Sequence, residues 1–167
     1  MELKQLHKWF MQNREQIKPL GEVHDQNGRI PVGIFEEQRR KGLWIMGVAG
    51  TGKSHLMRNM ALEDIRLGRS VIYLDPFGHI VESMIPEIAA DFGHKLFYLN
   101  TGDIKNVLGI PPKDQIKDMI RAKQILLVDF EIGKIGEEKM KMYGEVVIER
   151  VLAAVQAQYT SRKDVYV

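Results

Sequence analysis

Residues 43–54 read Leu43-Trp44-Ile45-Met46-Gly47-Val48-Ala49-Gly50-Thr51-Gly52-Lys53-Ser54. The last eight satisfy the pattern G-x-x-x-x-G-K-[ST] at every fixed position. The four apolar residues before them have the texture of a short buried strand. The residues from 54 to 67 carry apolar side chains at helical spacing and stop at Gly68. A glycine-rich loop is therefore expected between a strand and a helix. Gly47, Gly50 and Gly52 let the backbone curl so that successive N–H groups, those of Val48, Ala49 and Thr51 among them, point inward at phosphate oxygens. The start of the helix adds its positive dipole end. Lys53 brings a formal charge to the β- and γ-phosphates and to the transition state, the Ser54 hydroxyl is a Mg²⁺ ligand, and His55 lies beside the nucleotide through its backbone. The expected ligand is a nucleoside triphosphate with Mg²⁺.

Outward from this loop, apolar runs alternate with helical patterns. Strands are expected at 71–74, 95–99 and 124–128. Helices are expected at 79–92, interrupted near Pro86, at 113–123 behind Pro111-Pro112, and at 137–158. Asp164-Val165-Tyr166-Val167 reads as the opening of a fifth strand. Apolar strands separated by helices predict a three-layer α/β fold around a mainly parallel twisted sheet. Upstream, Leu3, Leu6, Phe10 and Ile17 suit an amphipathic helix over 2–17, ended by Pro19 and Gly21. Gln26-Asn27-Gly28-Arg29 followed by alternating Ile30, Val32 and Ile34 predicts a β-hairpin over 22–35, with a charged connector at 36–41. The expected organisation is a helix in 1–20, the hairpin and connector in 21–42, and the nucleotide-binding domain in 43–167.

Composition narrows the classes. With 44% hydrophobic and 28% charged residues over 167 positions, wholesale disorder is excluded. Lysine and arginine number 24 against 22 acidic residues, a net charge of +2, so any nucleic-acid contact has to come from a local patch. The absence of cysteine excludes thiolate metal sites, disulfide scaffolds and cysteine catalysis. No stretch has the roughly 18 apolar residues of a membrane span, and the mixed start Met1-Glu2-Leu3-Lys4-Gln5 lacks a signal-peptide core. The expectation is a soluble, cytoplasmic protein with no membrane span.

Residues 57–65, Met57-Arg58-Asn59-Met60-Ala61-Leu62-Glu63-Asp64-Ile65, lead into Val71-Ile72-Tyr73-Leu74-Asp75-Pro76-Phe77-Gly78-His79. Together with the glycine-rich loop this resembles the HerA/FtsK superfamily of P-loop ATPases, which includes DNA pumps and the coupling ATPases of type IV secretion and conjugation. The hairpin with Gly28-Arg29-Ile30-Pro31-Val32 looks like the β-rich lead-in of HerA-type proteins. Gln124-Ile125-Leu126-Leu127-Val128-Asp129-Phe130, with Gly133-Lys134-Ile135-Gly136-Glu137, is similar to the strand and turn before their long helix. The likeness covers roughly 20–167. It implies ATP and Mg²⁺ as cofactors, and DNA and a ring of identical subunits as partners of the full-length parent. In the family an apolar strand ending in Asp-Glu follows the long helix, and no position of this sequence matches that pair. The resemblance therefore implies nucleotide binding and, for this chain alone, slow turnover or none.

Two other acids end apolar strands. Asp129 is either a magnesium-side carboxylate, as an AAA+-like loader or initiator ATPase would use it, or a strand-end acid at the sheet rim; Phe130 follows it where an activating glutamate would stand. Asp75 is either a magnesium-side group at the carboxyl edge or, with Pro76, a turn former. A third reading makes the chain a non-hydrolysing, nucleotide-dependent binding subunit of a secretion or conjugation complex. The histidines His7, His24, His55, His79 and His94 have no ligand-like spacing. The nine methionines read as core filler, and the clusters Arg39-Arg40-Lys41 and Arg162-Lys163 read as solvated loops ahead of DNA-tracking patches.

Overall fold

In the computed structural model, residues 3–13, 15–26, 28–104 and 109–159 are described. The chain divides into two compact units at Met60/Ala61. The expected strand at 164–167, the cluster at 162–163 and Asn27 of the hairpin turn lie outside the described residues.

The second unit is built on its most apolar strand. Ile125–Asp129 (β5) is buried at every position and lies in the middle of a three-stranded parallel sheet, between Val71–Asp75 (β3) and Leu96–Asn100 (β4). A strand with both faces covered has no reason to alternate polar and apolar residues, and Ile-Leu-Leu-Val does not. Ile125 and Leu127 pack with Val71 and Tyr73 against Ala61, Leu62 and Ile65, and against Val81, Met84 and Ile88 of His79–Phe92 (α4). Leu126 and Val128 pack on the opposite face against Ile116 and Ile120 of Lys113–Arg121 (α5), and against Val147, Val151, Ala154 and Val155 of Glu137–Tyr159 (α7). The unit is thus three-layered, with helices on both sides of a parallel sheet.

Pro86 does not interrupt α4. Val81, Met84 and Ile88, at most 1% exposed, form a continuous buried face through it, and burying that face outweighs one lost backbone hydrogen bond.

The first unit holds Leu3–Gln12 (α1), Ile17–Asp25 (β1) and Gly28–Phe35 (β2), followed by a single turn of helix at Glu36–Arg39 (α2). The helix expected over 2–17 is shorter and the hairpin longer. Asn13 closes α1 by donating its side-chain amide to the Trp9 carbonyl at 2.7 Å, and Ile17 becomes the first strand residue, opposite Phe35. Pro19 is tolerated because the register shifts between Pro19 and Gly21 in a bulge. Phe10 and Ile17 press on β2 at Gly33, where an added Cβ would lie 2.5 Å from the Phe10 ring and 2.7 Å from the Ile17 methyl. Lys18, fully buried, donates from Nζ to the Met60 carbonyl at 3.3 Å.

One expected strand does not form. Residues 43–46 pair with no strand of either sheet, and Trp44 and Met46 are 86% and 82% exposed. Four apolar residues become a strand only where a sheet edge satisfies their backbone groups, and here none does. Lys53–Arg66 (α3) follows as expected. Among the described residues, no helix is long and apolar enough to cross a membrane.

Candidate functional site

The glycine-rich loop lies in the first unit. Gly50 and Gly52 have φ of +80° and +86°, values open to glycine and strained for other residues. Between them the chain reverses around one acceptor, the Val48 carbonyl. This oxygen receives the Thr51 N–H at 3.4 Å, the Thr51 hydroxyl at 2.8 Å and the Lys53 ammonium at 2.7 Å. Lys53 therefore curls back into the loop instead of extending into water. A Cβ added at Gly47 would lie 2.8 Å from Thr51 Oγ1 and 3.7 Å from Lys53 Cδ, so the Thr51 hydroxyl occupies the space that a side chain at position 47 would take. The Leu56 N–H bonds the Gly52 carbonyl at 2.9 Å and closes the first turn of α3. Ser54 and His55 are exposed on that turn, and Val48 is 75% exposed.

The loop residues fit an anion. Among the loop residues, the Lys53 ammonium, the Thr51 hydroxyl and the exposed Ser54 hydroxyl form a donor set without a carboxylate. A triphosphate oxygen would take from Lys53 the bond that the Val48 carbonyl now receives.

The second unit has its own polar constellation, at the carboxyl edge of the sheet. Register aligns Asp75, Asp129 and Asn100 across the three strands. The helix after β3 lies on one face of the sheet, whereas those after β4 and β5 lie on the other. The chain thus switches direction between β3 and β5, the place where open α/β sheets bind ligands. Here that crevice is filled from within. Asp75 accepts the Phe77 N–H at 3.0 Å on Oδ1, and the Ile80 and Val81 N–H groups at 2.8 and 3.2 Å on Oδ2. It caps α4 and fixes the turn before it. Asp129, fully buried, accepts the Glu131 N–H at 2.8 Å on Oδ1 and the Tyr98 hydroxyl at 3.0 Å on Oδ2. The crevice is stitched further by Phe130 N–H to the Asp75 carbonyl at 2.9 Å and Ile132 N–H to the Pro76 carbonyl at 3.2 Å.

Around Asp129 the loops form one body. Gly78 (φ +84°) lies directly against its carboxylate. Thr101 donates to the Phe130 carbonyl at 2.8 Å, and Asn100 donates to the Tyr98 hydroxyl at 3.3 Å. Lys134 bridges Glu131 and Asp103, each at 3.3 Å, and those two carboxylates raise its pKa, Glu131 the more. Burial first, and then the Asp129 carboxylate, push the Tyr98 phenol up to about 12. Among the described residues, no group of three or more His, Asp and Glu side chains is arranged to hold a metal ion.

Of the residues singled out from sequence, the loop members Gly47, Val48, Ala49, Gly50, Thr51, Gly52, Lys53, Ser54 and His55 are contiguous by construction, and Lys53 turns into the loop. Asp75 and Asp129 stand side by side, each engaged by backbone N–H groups of its own surroundings. Tyr98 escaped sequence reasoning, and Gly78 entered it only as part of the turn Asp75-Pro76-Phe77-Gly78. No family model, curated protein or solved structure matches the chain.

Proposed function

We propose that this chain is the ATP-binding core of a HerA/FtsK-like motor ATPase, of the DNA-translocating or secretion-coupling kind, and that ATP·Mg²⁺ binds at Gly47–Ser54. The observation that carries the reading is the complete G-x-x-x-x-G-K-[ST] segment opening α3, with the Lys53 ammonium already drawn into the loop at 2.7 Å from the Val48 carbonyl. Lys53 would hold the β- and γ-phosphates, the loop N–H groups would orient them, and Ser54 would ligate Mg²⁺, whose bound charge offsets that of the phosphates. DNA and further copies of the chain as partners rest on the sequence resemblance alone.

A second reading is favoured by the state of Asp129. Its carboxylate is fully buried with both oxygens accepting protein hydrogen bonds, which suits a structural acid better than one positioning magnesium. That favours a nucleotide-dependent binding subunit over an AAA+-like enzyme that depends on Asp129. Titration of fluorescent ATP with Mg²⁺ tests the main proposal. Lys53→Ala, which removes the one formal charge aimed at the phosphates, is expected to abolish saturable binding. Equal affinity in the two proteins would refute it.

A further inference from the structure

The glycines of the loop answer to different constraints. Gly50 and Gly52 have left-handed φ, and Gly47 does not. What forbids a side chain at position 47 is a neighbour. An added Cβ would lie 2.8 Å from Thr51 Oγ1, closer than packed atoms come, whereas Thr51 Cβ and Lys53 Cδ, both at 3.7 Å, are at ordinary contact distance. The Thr51 hydroxyl could give way only by turning off the Val48 carbonyl, to which it donates at 2.8 Å. Gly47, Thr51 and the Val48 carbonyl are therefore tied together.

The same carbonyl accepts the Lys53 ammonium at 2.7 Å. A carbonyl oxygen has two lone pairs, and these two donors fill them, with the Thr51 N–H more distant at 3.4 Å. An ammonium that moves onto a phosphate leaves this acceptor behind. A carbonyl without a donor beside an anion repels it and forfeits a hydrogen bond. The Thr51 hydroxyl is the strong donor that stays. We propose that Thr51 is a positioning residue of the nucleotide site: its hydroxyl holds the Val48 carbonyl when Lys53 leaves it for phosphate, and Gly47 is glycine to make room for that hydroxyl. The inference rests on nucleotide binding at Gly47–Ser54. Thr51 acts through the carbonyl, because its one hydroxyl proton is spent there and not on a phosphate oxygen.

The test is a titration of fluorescent ATP with Mg²⁺ into the full chain and its variants, each first shown to be folded by its melting curve. Thr51→Val, which keeps the shape and removes the hydroxyl, should weaken binding about two- to tenfold, the worth of one neutral hydrogen bond. Thr51→Ser, which keeps the hydroxyl, should restore most of that loss. The decisive readout is a double-mutant cycle. Gly47→Ala should weaken binding about two- to tenfold in the native background, because it pushes the hydroxyl off the carbonyl. In the Thr51→Ala background, where the close contact is gone, the same change should cost less than about twofold. If Gly47→Ala is equally damaging in both backgrounds, the glycine makes room for phosphate instead, and the proposal falls. Equal affinity of the native chain and Thr51→Val would overturn it while leaving nucleotide binding intact. Absence of saturable binding by the native chain would bring down both readings.

Discussion

Replacing Gly78 by alanine tests the packing of the carboxyl edge directly. Two costs combine there. The residue has φ +84°, a left-handed conformation worth about 1–2 kcal/mol against any residue with a Cβ. The new methyl carbon would also sit 2.4 Å from Asp129 Oδ1 and 2.6 Å from its Cγ, well inside contact distance. The carboxylate cannot swing away without giving up the Tyr98 hydroxyl or the Glu131 N–H. Overpacking of this kind costs about 1–3 kcal/mol, so Gly78→Ala should lose about 2–5 kcal/mol, a large share of the stability of an ordinary domain. The control is Gly68→Ala, also in the second unit, with φ +70° and nothing within 4 Å of the added carbon; it should incur only the conformational part. Urea unfolding followed by far-UV circular dichroism is the assay, because both tryptophans, Trp9 and Trp44, lie in the first unit. If Gly78→Ala is no more destabilising than Gly68→Ala, the close contact with Asp129 does not exist and the argument built on it fails.

Leu127→Ala, at a fully buried position of the central strand, should cost about 3–4 kcal/mol in the same urea titration. Tyr98 is held as a neutral phenol, so its contribution to stability is whole below pH 10 and drains away as the pH rises towards about 12. Following phenolate absorbance, Tyr98→Phe should remove a step at about pH 12, and survival of that step would contradict the hydrogen bond to Asp129. Because that carboxylate is engaged on both oxygens, phosphate release by the purified chain should be slow, and Asp129→Asn should lower the melting temperature more than it changes turnover. Rapid, Lys53-dependent release that Asp129→Asn abolishes would make Asp129 part of the catalytic machinery.

The three parallel strands were legible because each is an apolar run bounded by turn residues, and β3 and β5 end in an acid. The run at 43–46 has the same texture, yet Trp44 and Met46 face water. Texture reports what a segment would bury and is silent on whether an edge is there to receive it. The hairpin was legible from Glu22 onward but not at its start, because Ile17 fits a helical stripe as well as a strand and Asn13 decides between them. Asp75 and Asp129 could be picked out as strand ends. Their engagement could not, since it depends on a register that places positions 75, 100 and 129 side by side from three distant segments. Tyr98 was invisible for the same reason: nothing near it in sequence announces a carboxylate 31 positions away.

The placement of β5 bears on how the chain acquires its fold during synthesis. The central strand is the last of the three to be made, and its partners precede it by 125 − 71 = 54 and 125 − 96 = 29 positions. Until residue 129 has left the ribosome, β3 and β4 have no common neighbour, and their edges that face β5 stay unpaired. The sheet cannot grow strand by strand from one edge; it closes in one late event around Ile125–Asp129. A nascent chain stalled short of that strand would expose two unpaired edges, the kind of surface that chaperones recognise.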